Sequence, residues 1–346
     1  MSEEIERFKK DFDAIIYEIE KVVVGSEDIV RDLLIAFFCN GHVLLEGVPG
    51  LGKTLLVKTL SKVLGFDFKR IQFTPDLMPA DILGTQLILE SDSGKREFQF
   101  VPGPIFANII LADEINRATP RTQSALLEAM EEHQVTIAGK TSKLKAPFFV
   151  MATQNPIEME GTYPIPEAQL DRFFFKLNVL SPNHETLKTI LSRTTGNETT
   201  TVKRVFDPKV AHTRVSEMRL LVRDVLISSD IEDFVVNFVM ATHPQQNING
   251  ISRTIDGNNG GDVNSGNDIA SRFISFGASP RGAQALVLSS KVMALLDGRA
   301  NVSYEDVIKV AVSAINHRLV LNFEAEAENI KSEEIINNLI DEVRKG

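Results

Sequence analysis

The chain has 346 residues, of which 43% are hydrophobic and 24% charged, and its formal net charge is −10. This length allows two domains, and the composition is typical of a soluble globular protein. The acidic balance excludes a global basic footprint for nucleic acid, although it allows a local basic patch. The single cysteine excludes an internal disulfide. No apolar run reaches the length of a membrane span, and the acidic first residues differ from a signal peptide, so we expect a cytoplasmic protein.

The amino-terminal segment predicts two helices before the first strand. Apolar residues recur at three- and four-residue steps through residues 4–22, as in an amphipathic helix. Ser26 is a candidate cap for a second helix that runs to about Phe38. Val43-Leu44-Leu45 is a short apolar run, which is typical of a buried strand.

The residues after this strand carry the most specific motif of the chain. They read G-x-x-x-x-G-K-T, the pattern of a phosphate-binding loop, and leucines at helical spacing follow them. Glycines let the backbone approach phosphates, while the loop amides and the helix N-terminus direct partial positive charge at the anion. Lys53 is expected to reach the β and γ phosphates, and the Thr54 hydroxyl to bind Mg²⁺. The candidate nucleotide-binding residues here are Gly47, Val48, Pro49, Gly50, Leu51, Gly52, Lys53, Thr54 and Leu55.

Two hairpins are predicted around the next strands. Residues 69–73 form a plausible strand, and the alternating segments 87–90 and 97–101 flank Ser91-Asp92-Ser93-Gly94. This pattern favours a β-hairpin over a single irregular loop. A helix that starts at Thr119-Pro120 leads to the second hairpin candidate, at residues 135–144.

Two acids end the apolar run of residues 108–112. A buried parallel strand delivers such residues to the carboxyl edge of the sheet, where ligands bind in open α/β folds. Asp113 is then placed to hold Mg²⁺ through water, and Glu114 to polarise the attacking water. Mg²⁺ needs only one or two protein oxygens, so Thr54 and Asp113 suffice. A solvated strand end is the alternative for an isolated acidic pair, but a phosphate loop upstream favours the functional interpretation.

Two more polar residues lie beside predicted strands. Asn155 follows the apolar run 148–153 and leaves the sheet on the same edge as the two acids, where an amide can orient a water. The alternative is a turn asparagine before proline. Arg172 begins the predicted strand 173–179 and therefore lies at the opposite end of the sheet layer. It fits an arginine finger given to a neighbouring subunit and, equally, an ordinary salt-bridging arginine.

The chain changes character at Ser181-Pro182, which caps and opens a helix expected to stop near Gly196. Helical patterns prevail from there, and we expect one domain over residues 1–180 and a helical domain over 181–346. Residues 244–268 are rich in Asn, Gly and Gln, which predicts a flexible insertion.

Two further helix starts follow the insertion. Ser303 and Asp306 form a capping-box pattern. Arg281 lies in the first turn of the helix opened by Ser279-Pro280. A cation there is unfavourable unless an anion is near, so Arg281 is a candidate phosphate sensor, with a solvated surface arginine as the alternative.

Together these motifs resemble the MoxR branch of the AAA+ ATPases. The phosphate loop, the acidic pair, Asn155, Arg172 and Arg281 occur in the order of that family. The stretches that resemble its signatures are residues 73–84, 113–118, 123–131, 152–156, 167–173 and 277–281. The resemblance covers nearly the whole chain. It departs from the family pattern at residues 244–268, which are longer than expected before the helix of Arg281.

The resemblance implies an α/β fold, with a P-loop NTPase core built on a parallel sheet and a small C-terminal all-α lid. It implies ATP and Mg²⁺ as cofactors. It makes Arg172 the arginine finger, Asn155 sensor 1 and Arg281 sensor 2. The hairpin near residues 86–101 becomes the insert within the second core helix, and the hairpin at 135–144 the one that precedes sensor 1.

The resemblance also implies ATP hydrolysis in a ring, usually a homo-hexamer, with chaperone-like remodelling of client proteins. Such clients often carry von Willebrand factor A domains or receive metals or cofactors. Two other functions stay open. A nucleic-acid motor has local support only from Lys140, Lys143 and Lys145, and the net charge opposes it. A nucleotide-dependent scaffold with little turnover is opposed by the intact catalytic set.

Overall fold

A computed structural model of the chain describes residues 2–48, 50–90, 96–156, 161–195, 200–244, 246–248, 251–253 and 269–345. The chain divides into two compact units, Met1–Val222 and Arg223–Gly346. In the part that the structure describes, no helix combines the length and the apolar character needed to cross a membrane.

The first unit alternates helices and strands. Its elements are α1 (Ser2–Glu20), α2 (Glu27–Phe38), β1 (Val43–Glu46), α3 (Lys53–Leu64), β2 (Phe68–Gln72), α4 (Pro79–Leu83), β3 (Gly84–Glu90), β4 (Arg96–Pro102), β5 (Ile109–Asp113), α5 (Pro120–Glu132), β6 (Gln134–Ile137), β7 (Lys140–Lys143), β8 (Phe149–Gln154), α6 (Glu167–Leu170), β9 (Phe175–Asn178), α7 (His184–Thr195) and α8 (Pro208–Asp224), whose last two residues belong to the second unit. Short 3₁₀ helices cover Pro104–Phe106 and Ile115–Arg117.

A five-stranded sheet in the order β2-β5-β8-β1-β9 forms the centre of this unit, and all its neighbouring strands are parallel. Strands β5 and β8 are buried almost throughout, as expected for parallel strands covered on both faces. Because the strands are parallel, their carboxyl ends share one edge. The residues that end the five strands there are Glu46, Gln72, Asp113, Gln154 and Asn178.

Both predicted hairpins are confirmed. Strands β3 and β4 pair antiparallel, with Ile88 opposite Phe98, and β6 and β7 pair antiparallel, with Ile137 opposite Lys140. The turn predicted at residues 91–94 lies outside the described residues.

Two predicted element starts are wrong. Helix α7 begins at His184 rather than after Ser181, because Asn183 acts as its cap: the Thr186 backbone N–H donates to Asn183 Oδ1 over 2.9 Å. Strand β9 begins two residues later than predicted, because the Phe173 N–H donates to the Leu170 carbonyl in a turn (3.0 Å). The predicted end of α7 at Gly196 lies outside the described residues.

The second unit is helical, as predicted, and contains short two-stranded ribbons in addition. Its elements are α9 (Ser229–Ala241), β10 (Gln246–Ile248), β11 (Ile251–Arg253), α10 (Ile269–Phe273), β12 (Ile274–Phe276), α11 (Pro280–Leu296), α12 (Tyr304–Ile315), β13 (Val320–Leu321), α13 (Phe323–Ala327) and α14 (Ser332–Lys345). Strand β10 pairs with β11, and β12 with β13.

Local signals at helix starts in the second unit are confirmed. The Ser279 hydroxyl accepts the Arg281 N–H (3.1 Å) at the start of α11, and Ser303 and Asp306 form the predicted capping box of α12. Apart from β10, β11 and the residue before them, the insertion predicted at 244–268 lies outside the described residues. The domain boundary at residue 180 stays a prediction.

Candidate nucleotide-binding site

The phosphate loop starts where β1 passes between its two neighbours in the sheet. Gly47 donates its backbone N–H to the Gln154 carbonyl of β8 over 3.2 Å. A Cβ built on Gly47 would lie 2.7 Å from the Val179 carbonyl oxygen, on the β9 side. Glycine is therefore required at this position for packing between strands, before any ligand is considered.

The middle of the loop leaves room for an anion. Gly50 and Gly52 have φ values of +84° and +75°, in the left-handed region that favours glycine. A Cβ built on either would meet no heavy atom within 4 Å. The loop then enters the N-terminus of the 12-residue helix α3, whose first amide groups have no partner within the helix. Open space beside a helix N-terminus fits a phosphate group.

The remaining loop residues differ in exposure. Val48, Leu51 and Thr54 are half-buried, whereas Leu55 is exposed on the first turn of α3. Pro49 lies outside the described residues.

Lys53 reaches back across the loop. Its Nζ donates to the Gly47 carbonyl oxygen. Burial lowers the pKa of Lys53, while the negative charges of Asp113, Glu114 and Glu46 act in the opposite direction. The positive charge of Lys53 is thus favoured by three carboxylates, and its ammonium group is hydrogen-bonded to a carbonyl of its own loop.

Asp113 ends β5 with both carboxylate oxygens engaged. Thr153 Oγ1, on the neighbouring strand β8, donates to Oδ1 over 2.6 Å. Arg70, on the other neighbour β2, donates to Oδ2 from Nη2 over 2.6 Å and from Nε over 3.0 Å. The side chain of Asp113 is only 13% exposed, so its orientation is set by the two flanking strands.

Glu114 follows in a left-handed backbone conformation, with φ of +57°, which is uncommon for a residue with a side chain. Its backbone N–H donates to Thr153 Oγ1 over 2.8 Å. Its Oε2 accepts from Gln72 Nε2 over 2.8 Å and from Arg117 Nη1 over 3.2 Å. Strained backbone of this kind is concentrated at functional sites, where neighbouring contacts maintain it.

Asn155 lies directly after β8 and is 6% exposed. The sheet thus brings the phosphate loop, the acidic pair and Asn155 to one edge. No cluster of three or more His, Cys, Asp or Glu side chains suited to a metal occurs among the described residues. Mg²⁺ does not require one, because it retains several waters and takes one or two protein oxygens. The Asp113 carboxylate and the Thr54 hydroxyl are oxygen donors of the kind that such an ion takes.

Arg172 lies away from this edge, three residues before β9. Its Nη1 donates to the Leu127 carbonyl over 2.9 Å and lies 2.8 Å from Glu131 Oε2. Both partners belong to α5. Arg281 is exposed in the first turn of α11, in the second unit. The roles predicted for these two arginines stay predictions.

Sequence reasoning missed the residues that hold the acids: Arg70, Gln72, Thr153 and Arg117. A usable signal exists for two of them. Arg70 and Gln72 are two apart at the carboxyl end of a strand, so their side chains share a face and an edge with the acidic pair. Arg70 Nη2 also donates to Gln72 Oε1 over 2.6 Å.

Comparison with known families locates two matches. Residues 42–175 match the model described as ATPase family associated with various cellular activities (AAA). Residues 267–339 match the model of an AAA lid domain.

Individual proteins resemble nearly the whole chain. It is 40% identical over 328 residues to Chaperone MoxR1 of Mycobacterium tuberculosis, a match that covers 95% of this chain and 80% of that protein. It is 41% identical to YeaC of Bacillus subtilis, with 95% and 93% covered. A crystal structure of a protein from Cytophaga hutchinsonii is similar at a TM-score of 0.84 and 39% identity, and the match covers 98% of this chain and 96% of that one.

Proposed function

Because the chain belongs to the MoxR family of AAA ATPases, we propose that it binds ATP with Mg²⁺ at Gly47–Thr54 and hydrolyses the γ-phosphate bond. The observation that carries this proposal is the convergence of an open glycine loop, Lys53 and two acids at one edge of the sheet. Nucleotides bind at this edge in open α/β folds.

The roles of the residues follow from their chemistry. Lys53 and the amides of α3 bind the terminal phosphates and offset charge that develops on them. Glu114 accepts the proton of the attacking water, and Asn155 orients that water. When bound, Mg²⁺ supplies charge neutralisation for the phosphates, with Thr54 and Asp113 as the residues that hold it. Thr153 fixes Asp113 through its hydroxyl group.

We further propose that the site is completed in a ring, of which a homo-hexamer is the expected form. Arg172 lies at the sheet edge opposite the phosphate loop, which places it poorly for its own nucleotide. A neighbouring subunit's nucleotide is the alternative target. Arginine fingers of this kind contribute about 10³–10⁵ in rate in other nucleotide hydrolases. Arg281 has a different proposed role, that of a phosphate sensor.

The proposed clients are proteins, such as those with a von Willebrand factor A domain. One relative is named a chaperone, and an exposed apolar surface supports the same activity here. On the β3–β4 hairpin, Ile88 and Phe98 lie opposite each other on one face and are 59% and 68% exposed. Contiguous exposed apolar side chains mark interaction sites.

Nucleotide binding tests the first step with a matched pair of variants. Lys53→Ala removes the amine that crosses the loop, and it should abolish binding of a fluorescent ATP analogue and phosphate release. Lys58→Ala removes an exposed amine from the same helix and should leave both unchanged. Equal loss in both variants, or binding by Lys53→Ala as in the unchanged chain, would contradict the proposed site.

Client binding needs a separate experiment. Glu114→Gln should hold ATP without hydrolysing it, so clients should stay bound during affinity purification in ATP. The same variant without nucleotide is the control. A set of co-purified proteins that does not depend on ATP would count against remodelling.

A further inference from the structure

Asp113, the residue proposed to hold the divalent cation, already has a cation beside it. Arg70 donates two hydrogen bonds to Asp113 Oδ2, over 2.6 Å and 3.0 Å. The other oxygen, Oδ1, accepts from the neutral Thr153 hydroxyl. A hydroxyl can stay in place when a metal ion arrives, whereas a guanidinium at the same carboxylate repels the ion.

The two partners of Asp113 also differ in freedom to move. Thr153 is 1% exposed, so its hydroxyl is fixed by packing. The Arg70 side chain is 48% exposed and starts from β2, the edge strand of the sheet. It has a second acceptor in Gln72 Oε1, 2.6 Å from Nη2. Arg70 can therefore leave Asp113 while it keeps a partner and gains contact with water.

From this arrangement we propose that Arg70 is an internal competitor of the divalent cation for Asp113. The guanidinium holds the carboxylate in position when no metal is bound, and it moves away when a metal-nucleotide complex binds. The competition raises the cation concentration that the site requires. This inference rests on the proposed function, since it concerns the same nucleotide site.

The competition also connects Asp113 to Glu114, the carboxylate proposed to activate water. Gln72 accepts from Arg70 and donates to Glu114 Oε2 over 2.8 Å. Movement of Arg70 therefore changes the electrostatic environment of the amide that holds Glu114. In this way, binding of a metal at Asp113 affects Glu114 through Arg70 and Gln72, two side chains on the same face of β2.

The test measures binding rather than turnover. A fluorescent ATP analogue is bound to the full chain in EDTA and then at increasing Mg²⁺, and the half-saturating Mg²⁺ concentration is read from the change in affinity. Arg70→Gln removes the competing charge. Lys69→Gln is the matched control, because it removes one positive charge from the adjacent exposed position of β2, whose side chain points to the opposite face.

Arg70→Gln should lower the half-saturating Mg²⁺ concentration by about three- to tenfold, the range expected for a charge-assisted pair that is partly screened by water. Lys69→Gln should change it by less than about twofold, as expected for an exposed charge. Arg70→Lys keeps the charge without the two-pronged contact and should lie between Arg70→Gln and the unchanged chain.

Thermal unfolding of each variant identifies loss of folding. If Arg70→Gln does not fold, the Arg70→Lys measurement decides, and a lowered requirement supports the competition. A Mg²⁺ requirement that is unchanged or raised in the folded Arg70 variants overturns it, even when the analogue binds normally. A purely structural ion pair would give that result. An unchanged chain that binds no nucleotide overturns both the proposed function and this inference.

Discussion

At the scale of single residues, the phosphate loop makes the strictest demand on side-chain type. Gly50 and Gly52 combine a left-handed backbone with empty space where a Cβ would project. Gly47 is constrained differently, by the Val179 carbonyl against which a Cβ would clash. The three glycines of the motif thus serve two purposes: one closes the packing between strands, and two keep a pocket open for an anion.

For Gly52→Ala, the loss in the free energy of nucleotide binding should exceed the loss in the free energy of unfolding. Alanine in a left-handed conformation costs about 1 kcal/mol, and the added methyl group projects into the space proposed for phosphate. Titration of a fluorescent ATP analogue measures the affinity, and thermal unfolding measures the strain.

Gly139→Ala is the matched control. Gly139 also has a positive φ, of +78°, and open space at its Cβ position, but it lies in the turn between β6 and β7. It should show the same strain with normal nucleotide affinity. Equal affinity losses in the two variants would argue against phosphate binding at Gly52.

The candidate site could be predicted only where its signal is local in sequence. The motif Gly47–Thr54 and the acids at the end of β5 are recognisable from their sequence pattern alone. The strand position of Arg70 indicates the same edge as the acids, but its pairing with Asp113 could not be assigned, because the two residues are 43 apart in sequence and only the strand order places them side by side. Thr153 could not be assigned for the same reason, because its partner Asp113 is 40 residues away in sequence.

At the scale of elements, apolar runs predicted the strands well because parallel strands are buried on both faces. Element starts were less predictable. The sequence does not place the start of α7, because Ser181 and Asn183 are both good caps, and only the observed hydrogen bond from Thr186 to Asn183 distinguishes them. The β12–β13 ribbon was missed because strands of two or three residues have no detectable periodicity.

A buried histidine connects three of these elements. His42 precedes β1, and its Nδ1 accepts the Val150 backbone N–H of β8 over 3.0 Å. Nε2 lies 3.2 Å from the Met130 carbonyl of α5 and donates to it. Burial, followed by the nearby charge of His133, lowers the pKa of His42 from 6.5 to about 3. The fold therefore requires the neutral ring.

This requirement predicts an acid dependence of stability. Below pH 6.5 the unfolded chain protonates His42, whereas the folded chain does so only near pH 3. The contribution of neutral His42 to the free energy of unfolding is thus fully present above pH 6.5 and is lost as the pH falls toward 3. His42→Gln, which retains a donor and an acceptor, should reduce the loss between pH 7 and 5 by about 2 kcal/mol.

Urea unfolding at the two pH values measures this difference. His184→Gln serves as the control, because His184 is exposed on α7 and its replacement should leave the acid dependence unchanged. A loss of stability in His42→Gln that equals that of the unchanged chain would contradict the assignment.

At the scale of the whole molecule, the proposed ring depends on Arg172. In a single chain this guanidinium is held by Glu131 and the Leu127 carbonyl of α5. Its side chain is 29% exposed, so it is partly accessible from outside. To serve as a finger it would exchange these contacts for a neighbour's nucleotide, and its planar fork suits phosphate oxygens.

Arg172→Ala should keep nucleotide binding and lose hydrolysis by about 10³-fold or more, the lower range for arginine fingers. Phosphate release at a protein concentration that supports assembly measures the rate. Glu131→Gln is the control: it removes the ion-pair partner, keeps Arg172, and should retain hydrolysis. Normal hydrolysis by Arg172→Ala, or equal loss in both variants, would contradict a finger role.

The proposed activity is hydrolysis of Mg²⁺-ATP at this edge of the sheet, with the Glu114 carboxylate as the base that activates water. The most direct measurement is phosphate release from Mg²⁺-ATP by the unchanged chain and by Glu114→Gln, with nucleotide affinity measured in parallel. We expect hydrolysis by the unchanged chain, and for Glu114→Gln an unchanged affinity with a rate lower by about a hundredfold or more. Equal rates for the two proteins, or no phosphate release by the unchanged chain once assembled, would contradict this activity.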